Sequence, residues 1–425
     1  MITQLSDTFD THWAYIDRYM HSSVNIIAKV HLKSYISNQE IDKAVASLSE
    51  EHPYITSKLC SKKEKGCEKF YLKRTEEKKI KTSLKTCSNE EIRKKMDLIS
   101  EYRYKRLNLE QGELLYIDIS RSDDETLLEI VFAHLLTDAT GAITLTSEIL
   151  SKLKTKKTDK IKKIKTRKPY DEIRYGWKDR KDETKPIPLP EKLCEKSDPW
   201  PQPAFTYKRK EFEKSIFDNI KRWLKKEKIE ASVSDFFYYT LKKIYTKKYN
   251  QELSTNVVMS YRNKIDDLDD RKGINTLAVF ECINIEKNIE TPKLWLEEFS
   301  SKRKRTINIE NIIEFNNKLR MLNKTMPEHD VEKGRKILNT LLPVNSNESI
   351  FAFNNYGVID PLFEKNSDLD IIDIDIQGSV LAQEIRFFSY KEKIHFNMMF
   401  SKDNVPFSTE SFWNDFLTEI EKTIN

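Results

Sequence analysis

The stretch from Thr126 to Leu150, which reads TLLEIVFAHLLTDATGAITLTSEIL, decides how this chain folds. Its opening, TLLEIVFA, is nearly continuous in apolar residues, which predicts a central strand that is covered on both faces. Apolar side chains then recur at helical spacing and predict one buried helix stripe, formed by Ala142, Leu145, Ile149 and Leu153. The segment is therefore a buried strand, a short turn and a helix.

The turn carries the pattern His-x-x-x-Asp-x-x-Gly, formed by His134, Asp138 and Gly141. A histidine just beyond a buried strand lies at the edge of a sheet, where clefts form. An ordinary imidazole is mostly a free base at neutral pH, and a nearby helix N-terminus favours that form. Such a ring can take a proton from an alcohol or amine that attacks a thioester. Asp138 stands where it caps the helix or pairs with a cation, and Gly141 lets a neighbouring backbone approach.

Length, composition and charge bound the class of protein. The 425 residues, of which 38% are hydrophobic, are enough for two lobes with a real core. The net charge of +6 is small for this length, so we expect no nucleic-acid binding. No charge-free window is long enough to span a bilayer, and residues 1–20 lack the apolar region of a signal peptide. Five cysteines without metal-ligand spacing suit a reducing compartment, so we expect a cytoplasmic protein without a metal site.

Periodicity predicts further elements on both sides of this segment. A strand at 25–32 precedes a helix that starts with a capping box of Ser37 and Glu40 and ends at His52. Residues 61–100 are rich in Lys and Glu and look like surface. Helices are predicted at 212–224, from Ser232 onward, and at 293–306, 308–324 and 407–424. Strands are predicted at 114–119, 257–261, 278–285, 350–354, 369–376, 382–390 and 393–400. Intermixed strands and helices indicate an α/β or α+β fold with mixed sheets.

A proline-rich segment divides the chain. Residues 180–203 contain six prolines, a composition typical of an inter-lobe connection. We therefore predict an N-terminal lobe at 1–178 that carries the His-x-x-x-Asp pattern, a linker at 179–205 and a C-terminal lobe at 206–425.

Taken alone, a pattern as short as His-x-x-x-Asp is more often a capping or surface feature than a catalytic one. Its surroundings, however, resemble the active-site segment of the CoA-dependent acyltransferase superfamily. That group includes chloramphenicol-acetyltransferase-like proteins, condensation domains and alcohol acetyltransferases, and the pattern is most similar to the bacterial alcohol-acetyltransferase branch. Six further segments resemble the family in its order and cover most of the chain: AKVHLKSYISNQEIDKAVASLSEEHPYITSKL, YKRLNLEQGELLYIDIS, ASVSDFFYYTLKKIY, VVMSYRNK, FAFNNYGVID and KIHFNMMFSKDNVPFSTESFWNDFL.

The resemblance implies roles for individual residues of the motif. His134 matches the general base of the family, and Gly141 matches the motif glycine. Asp138 matches an aspartate that points away from the substrate and pairs with an arginine of the second lobe, and Arg262 matches that arginine. An ordinary surface charge at a strand end is the alternative interpretation of Arg262.

Asn355 and Gly357 match the second signature of the family, near the solvent channel. The alternative for Asn355 is a simple turn residue. The chain also departs from the family, because Ala133 replaces the first histidine of many relatives and Ala139 replaces a frequent glycine. No oxyanion donor is assigned from the sequence.

The implied fold is two chloramphenicol-acetyltransferase-like lobes, each a mixed sheet flanked by helices, with a channel between them. The implied activity moves an acyl group, with acetyl as one option, from a CoA thioester to an alcohol or amine. Acyl-CoA is then a co-substrate, no tightly bound cofactor is required, and a monomer is expected. Two alternatives stay open: a condensation-type enzyme that uses carrier-protein-bound thioesters, or a non-catalytic member that binds a ligand.

Overall fold

The chain was analysed in a computed structural model. It describes residues 2–4, 9–21, 24–64, 67–75, 80–153, 185, 187–195, 197–198, 205–249, 254–260, 277–280, 291–306, 308–327, 330–341, 350–363, 369–378, 383–401 and 409–425. The strands are β1 (Ile2–Gln4), β2 (Asn25–Leu32), β3 (Ser57–Glu64), β4 (Cys67–Arg74), β5 (Lys81–Thr86), β6 (Leu115–Arg121), β7 (Thr126–Ala133), β8 (Phe205–Glu213), β9 (Ser254–Ser260), β10 (Leu277–Phe280), β11 (Ile350–Val358), β12 (Ile371–Gln377), β13 (Gln383–Tyr390) and β14 (Lys393–Ser401). The helices are α1 (Phe9–Met20), α2 (Asn38–Glu51), α3 (Asn89–Asp97), α4 (Ala139–Leu153), α5 (Ser215–Lys226), α6 (Val233–Tyr249), α7 (Pro292–Thr306), α8 (Ile309–Thr325), α9 (Val331–Leu341), α10 (Asp360–Phe363) and α11 (Thr409–Ile424).

Two large sheets and one small sheet organise these elements. The first large sheet has the order β12-β2-β7-β6-β5, and β7 lies at its centre between two antiparallel neighbours. The second has the order β10-β9-β11-β13-β14-β8, in which β11 runs parallel to both β9 and β13. The small sheet has the order β1-β4-β3. The structure confirms the predicted mixed α/β fold, with two lobes built on mixed sheets flanked by helices.

The first lobe forms as its sequence pattern predicts. Every residue of β7 is buried, which confirms a central strand covered on both faces. The predicted stripe of α4 is buried as well, since Ala142, Leu145, Ile149 and Leu153 all belong to the first core. At the start of α2, Ser37 Oγ accepts from the Glu40 backbone N–H at 3.3 Å and Glu40 Oε2 accepts from the Ser37 N–H at 2.8 Å. The capping box predicted from the sequence is therefore present.

The second lobe is packed mainly by aromatic side chains. Helices α5, α6, α7 and α11 cover one face of the second large sheet. Phe237 of α6 meets Phe387 and Phe396 edge to face, with ring centroids 5.4 and 5.1 Å apart. Such edge-to-face contacts add to the energy of burial. The Asp235 N–H donates to Ser232 Oγ at 3.2 Å and Asp235 Oδ2 accepts from the Ser232 N–H, which confirms the cap predicted for α6.

The structure departs from the predicted secondary structure in several places. The segment 61–100, predicted to be surface-like, has the largely exposed strand β5, but it also contains the end of β3, then β4 and α3, which were not predicted. In the β3–β4 hairpin, apolar and polar residues alternate along each strand instead of forming a continuous apolar run. The buried apolar residues are Leu59, Phe70 and Leu72. Phe212, predicted to open a helix, belongs to β8, and α5 begins only at Ser215. Strand β1 and helices α1, α9 and α10 were not predicted.

Other predictions extend beyond the part of the chain that the structure describes. Residues 261 and 281–285, predicted as strand ends, lie outside it, as does most of the predicted linker at 179–205. Within the described part of that linker, Ile187 and Leu189 pack against the first core, and the Ile187 N–H donates to Thr325 Oγ1 at 2.8 Å. The lobe boundaries at 178 and 206 remain predictions. Among the described residues, no helix is long and apolar enough to cross a bilayer.

Strand β12 joins the two large sheets although it lies late in the chain. It pairs antiparallel with β2, so that Ile374 faces Val30 and Asp375 faces Lys29 in register. The Asp375 carboxylate is fully buried and accepts hydrogen bonds from Tyr207 Oη at 2.8 Å and Asn397 Nδ2 at 2.6 Å. These donors lie on β8 and β14 of the second sheet. A strand of one sheet is thus hydrogen-bonded through its side chains to the other sheet.

Further charged groups surround this junction. Arg209 of β8 donates to both carboxylate oxygens of Asp373 at 2.7 Å. Lys29 Nζ lies 3.7 Å from Glu129 and donates to the backbone oxygens of Lys95 and Leu98 at 2.6 Å. Burial lowers the pKa of Lys29, and the negative charge of Glu129 opposes that shift. Each buried charge therefore has an opposite charge or carbonyl oxygens as partners, as burial demands.

Replacing Asp375 tests this junction. We expect Asp375→Ala to lower the free energy of unfolding by about 3 kcal/mol. Three buried donors, Tyr207, Asn397 and Gln377, lose their acceptor. Lys29 also loses a nearby negative charge. Thermal and urea unfolding measure the change. Asp370→Ala, which alters an exposed carboxylate just before the same strand, is the control. Equal stability of the two variants would contradict the role given to Asp375.

Candidate active site at the end of the central strand

His134 lies directly beyond the central strand of the first sheet. Its backbone N–H donates to the Val24 carbonyl at 2.8 Å, which extends the pairing of Ala133 with Asn25 by one bond. The Leu136 N–H then donates to the Ala133 carbonyl at 2.8 Å and closes the turn. Only 8% of the His134 surface is exposed. The imidazole therefore does not extend into bulk solvent.

Trp13 of α1 covers one face of the His134 ring. The two ring centroids are 4.4 Å apart and the ring planes are inclined by 30°. Trp13 was not predicted as a site residue, because no helix was assigned to residues 1–20 and Trp13 belongs to no motif. Only the tertiary structure brings α1 beside the turn after β7.

Asp138 is the N-cap of α4. Its Oδ1 accepts from the Gly141 N–H at 2.9 Å, and its carbonyl accepts from the Ala142 N–H at 2.8 Å. The residue is 3% exposed. The predicted cap is therefore present. Arg262, the predicted cationic partner, lies outside the described residues, so the ion pair remains a prediction.

Gly141 lies buried in the first turn of α4, where its N–H is the donor to Asp138. The predicted close approach of another backbone remains a prediction.

The second signature lies on β11 of the second sheet. Asn355 is exposed, its Nδ2 donates to Ser234 Oγ at 2.5 Å, and its Oδ1 accepts from the Gly357 N–H at 2.7 Å. Gly357 has φ +72°, and a Cβ built there meets nothing within 4 Å. Backbone conformation, not crowding, thus favours glycine at this position. Asn355 lies within β11, where the pairing with β13 shifts register between Asn355 and Gly357, so it is not a simple turn residue, and its place near the channel remains a prediction.

Tyr356, between these two residues, connects the signature to the first lobe. Its side chain packs against the first core although β11 belongs to the second sheet. Burial raises the pKa of the Tyr356 hydroxyl; the negative charges of Glu384 and Asp138 raise it further, and Arg386 opposes them. The packing of Tyr356 against the first core brings the second signature into contact with the first lobe.

His12, the neighbour of Trp13 on α1, is a second buried histidine of this region. Burial lowers its pKa from 6.5 to about 4, and a hydrogen bond with Asn323 of α8 partly opposes the shift. The buried His12 ring is therefore neutral at pH 7. Its hydrogen bond with Asn323 joins α1, the helix that carries Trp13, to α8.

The stability of the folded chain should therefore depend on His12 in acid. Because the folded-state pKa lies below the ordinary value, His12 contributes stability above pH 6.5 that is lost as the pH falls toward about 4. Between pH 7 and pH 5 we expect the wild type to lose about 2 kcal/mol more than His12→Gln, which cannot titrate. Urea unfolding at both pH values measures this, and identical pH dependence of the two proteins would contradict it.

Two groups of side chains in the described residues have a spacing that could hold a metal ion. They are Glu51, His52 and Glu148, and Glu211, Asp373 and His395. In each group a cationic side chain already pairs with a carboxylate: Lys152 with Glu51 at 2.6 Å, and Arg209 with Asp373 at 2.7 Å. We therefore assign no metal to them.

Cys60, Cys87 and Cys194 are free thiols.

No protein-family model and no curated protein matches this sequence. Solved structures, in contrast, match it over nearly its whole length. The condensation domain of the Monacolin K polyketide synthase MokA has a TM-score of 0.64 at 10% identity, covering 100% of this chain and 97% of its own. TRI101 of F. sporotrichioides, complexed with coenzyme A and T-2, has a TM-score of 0.64 at 10% identity, with 95% of each chain covered.

The trichothecene 15-O-acetyltransferase TRI3 from Fusarium sporotrichioides has a TM-score of 0.63 at 10% identity and covers 100% of this chain and 95% of its own. At such identities the likeness shows the fold and not the activity. It confirms the fold that the sequence resemblance implies, while the alcohol-acetyltransferase branch remains a prediction. The chain thus has the two-lobed fold shared by condensation domains and trichothecene acetyltransferases.

Proposed function

We propose that this protein is an acyltransferase that moves an acyl group from a CoA thioester to an alcohol or amine, with His134 as the general base. The observation that carries the proposal is the placement of His134. Its imidazole is held at the end of the central strand, out of bulk solvent, and is stacked on Trp13. A neutral imidazole in such an enclosed position is suited to accept a proton during acyl transfer.

The fold supports CoA as the donor. TRI101, which has this fold, was solved in complex with coenzyme A and a small molecule, T-2. An acetyl group on CoA is the simplest donor of this class. The acceptor would enter the junction between the lobes and reach His134 from there.

The reaction needs one base that also returns a proton. His134 removes the proton from the acceptor O–H or N–H while the acceptor oxygen or nitrogen attacks the thioester carbonyl carbon. The tetrahedral intermediate collapses, the carbon–sulfur bond breaks, and the thiolate of CoA takes the proton from the His134 imidazolium. The products are the acyl ester or amide and free CoA, and the base returns to its starting state.

Asp138 and Arg262 are proposed to support the base without touching the substrate. Asp138 caps α4 through Gly141, which holds the turn that carries His134. An ion pair with Arg262 would fasten the same turn to the second lobe.

Asn355 and Gly357 are proposed to shape the second signature near the channel, through their own hydrogen bond, and to take no chemical part.

A condensation-type enzyme is the second candidate. It is favoured by the likeness to the MokA condensation domain, which covers the whole of this chain. The base and the chemistry would be the same, and the thioester would be bound to a carrier protein instead of CoA. The donor therefore separates the two candidates, and the assay below uses both donors.

Removal of the base is the direct test. We expect His134→Ala to lower turnover about 100- to 10,000-fold, the usual contribution of general-base catalysis. Thiol release is measured with acetyl-CoA, longer acyl-CoAs and acyl-phosphopantetheinyl carrier protein, against a panel of alcohols and amines. Transfer from CoA but not from the carrier protein supports the first candidate, and the reverse supports the second.

His31→Gln is the matched control. His31 is also a buried histidine of the first sheet, paired with Glu125 at 2.9 Å, but it lies at the opposite end of β2 from the Ala133 pairing. Its replacement should leave turnover unchanged. Full turnover by a folded His134→Ala protein would rule out His134 as the base. Absence of turnover by the wild-type protein with every donor would instead favour the alternative of a ligand-binding member of the fold.

The ion pair is tested by removing each charge. Asn also caps helices, so Asp138→Asn should keep the thermal midpoint while turnover falls. Arg262→Gln should lower turnover by a similar factor. If the two residues form one pair, the double variant should be no less active than either single variant. Losses that multiply in the double variant would show that the two residues act independently.

A further inference from the structure

The stack of Trp13 on His134 has a consequence for the geometry of the base. The backbone of His134 is held by its hydrogen bond to Val24, but the torsion that rotates an imidazole about its Cβ–Cγ bond is intrinsically soft. An indole face at 4.4 Å restricts that rotation. Stacking uses the face of the ring, so the contact with Trp13 does not itself involve a ring nitrogen.

Helix α1, which carries Trp13, is itself firmly attached. Asp17, one turn after Trp13, accepts from Arg106 Nε at 3.0 Å and Nη2 at 2.8 Å. At its end, Tyr19 Oη donates to the Pro327 carbonyl at 2.6 Å, and Arg335 Nε donates to the Tyr19 carbonyl at 2.6 Å. These bonds connect α1 both to the loop before β6 and to the region of α8 and α9. The indole therefore meets His134 from a helix that is held at several points.

We propose that Trp13 is a positioning residue for His134, which holds the plane of the imidazole in the orientation for proton transfer. This inference rests on the proposed function, since it assigns Trp13 to the base of that reaction. It predicts that the residue acts on the chemical step and only through His134. Trp13 itself does not contact the substrate in this proposal.

The kinetic test compares substitutions of Trp13 with one of Trp223. Trp223 is a tryptophan of similar partial burial that packs against the second core, where it meets Phe236. With acetyl-CoA and the best acceptor of the panel, we expect Trp13→Ala to lower kcat about 10- to 100-fold, with KM for acetyl-CoA nearly unchanged. Trp13→Phe, which keeps an aromatic face, should recover most of the rate. Trp223→Ala should leave kcat and KM as they are.

A double-mutant cycle with His134→Ala separates positioning from other roles. If Trp13 acts through His134, adding Trp13→Ala to His134→Ala should cause no further loss. A loss that persists undiminished in the His134→Ala background would overturn the positioning role while leaving the base assignment intact. Full activity of His134→Ala would instead overturn the proposed function itself, so the two failures are distinguishable.

Tryptophan fluorescence tests the stack without any substrate. The emission of an indole depends on the groups that contact it. His134→Ala should therefore change the emission of the protein, which has six tryptophans, and should change nothing in a Trp13→Phe background. An equal change in both backgrounds would show that Trp13 does not contact His134 in solution. Matching circular dichroism spectra confirm that each variant is folded.

Discussion

The pairing of β12 with β2 is the constraint on which the rest of this structure depends. A strand from the later part of the chain completes the first sheet and presents Asp375, fully buried, to donors of the second sheet. A buried carboxylate is tolerated only where hydrogen bonds replace its water, so the two sheets must keep the geometry that supplies those bonds. The relative position of the two large sheets at this junction is thereby set.

The candidate site uses the rigidity that this arrangement provides. A central strand, a turn bonded to Val24 and a helix capped by Asp138 hold the backbone of His134 from one lobe. The ring itself is covered by Trp13, whose helix is bonded to elements from both halves of the sequence. A side chain on a flexible loop would not keep one orientation from turnover to turnover. Here the end of β7 fixes the backbone of His134, and Trp13 of α1 packs against its ring.

Much of this could be predicted from one sequence. The capping box of Ser37 and Glu40, the buried run of β7 and the apolar stripe of α4 are local signals, and the structure reproduces each of them. The errors arose where local signals were weak. Strands β3 and β4 are rich in Lys and bury only alternate residues, so their apolar residues are too few and too scattered to indicate a strand. Phe212 is compatible with the end of a strand as well as with the start of a helix.

The sequence by itself determined the strand–turn–helix unit, the place of His134 within it and the capping role of Asp138, because these depend on residues that are neighbours along the chain. The tertiary structure alone decided that Trp13 stacks on His134, that Tyr356 packs against the first core, and that β12 joins the first sheet. These contacts link residues that are far apart in the chain. The periodicity of apolar residues indicates which face of an element is buried, but not which distant element packs against it. They follow only from the joint packing of two cores and the need of every buried charge for a partner.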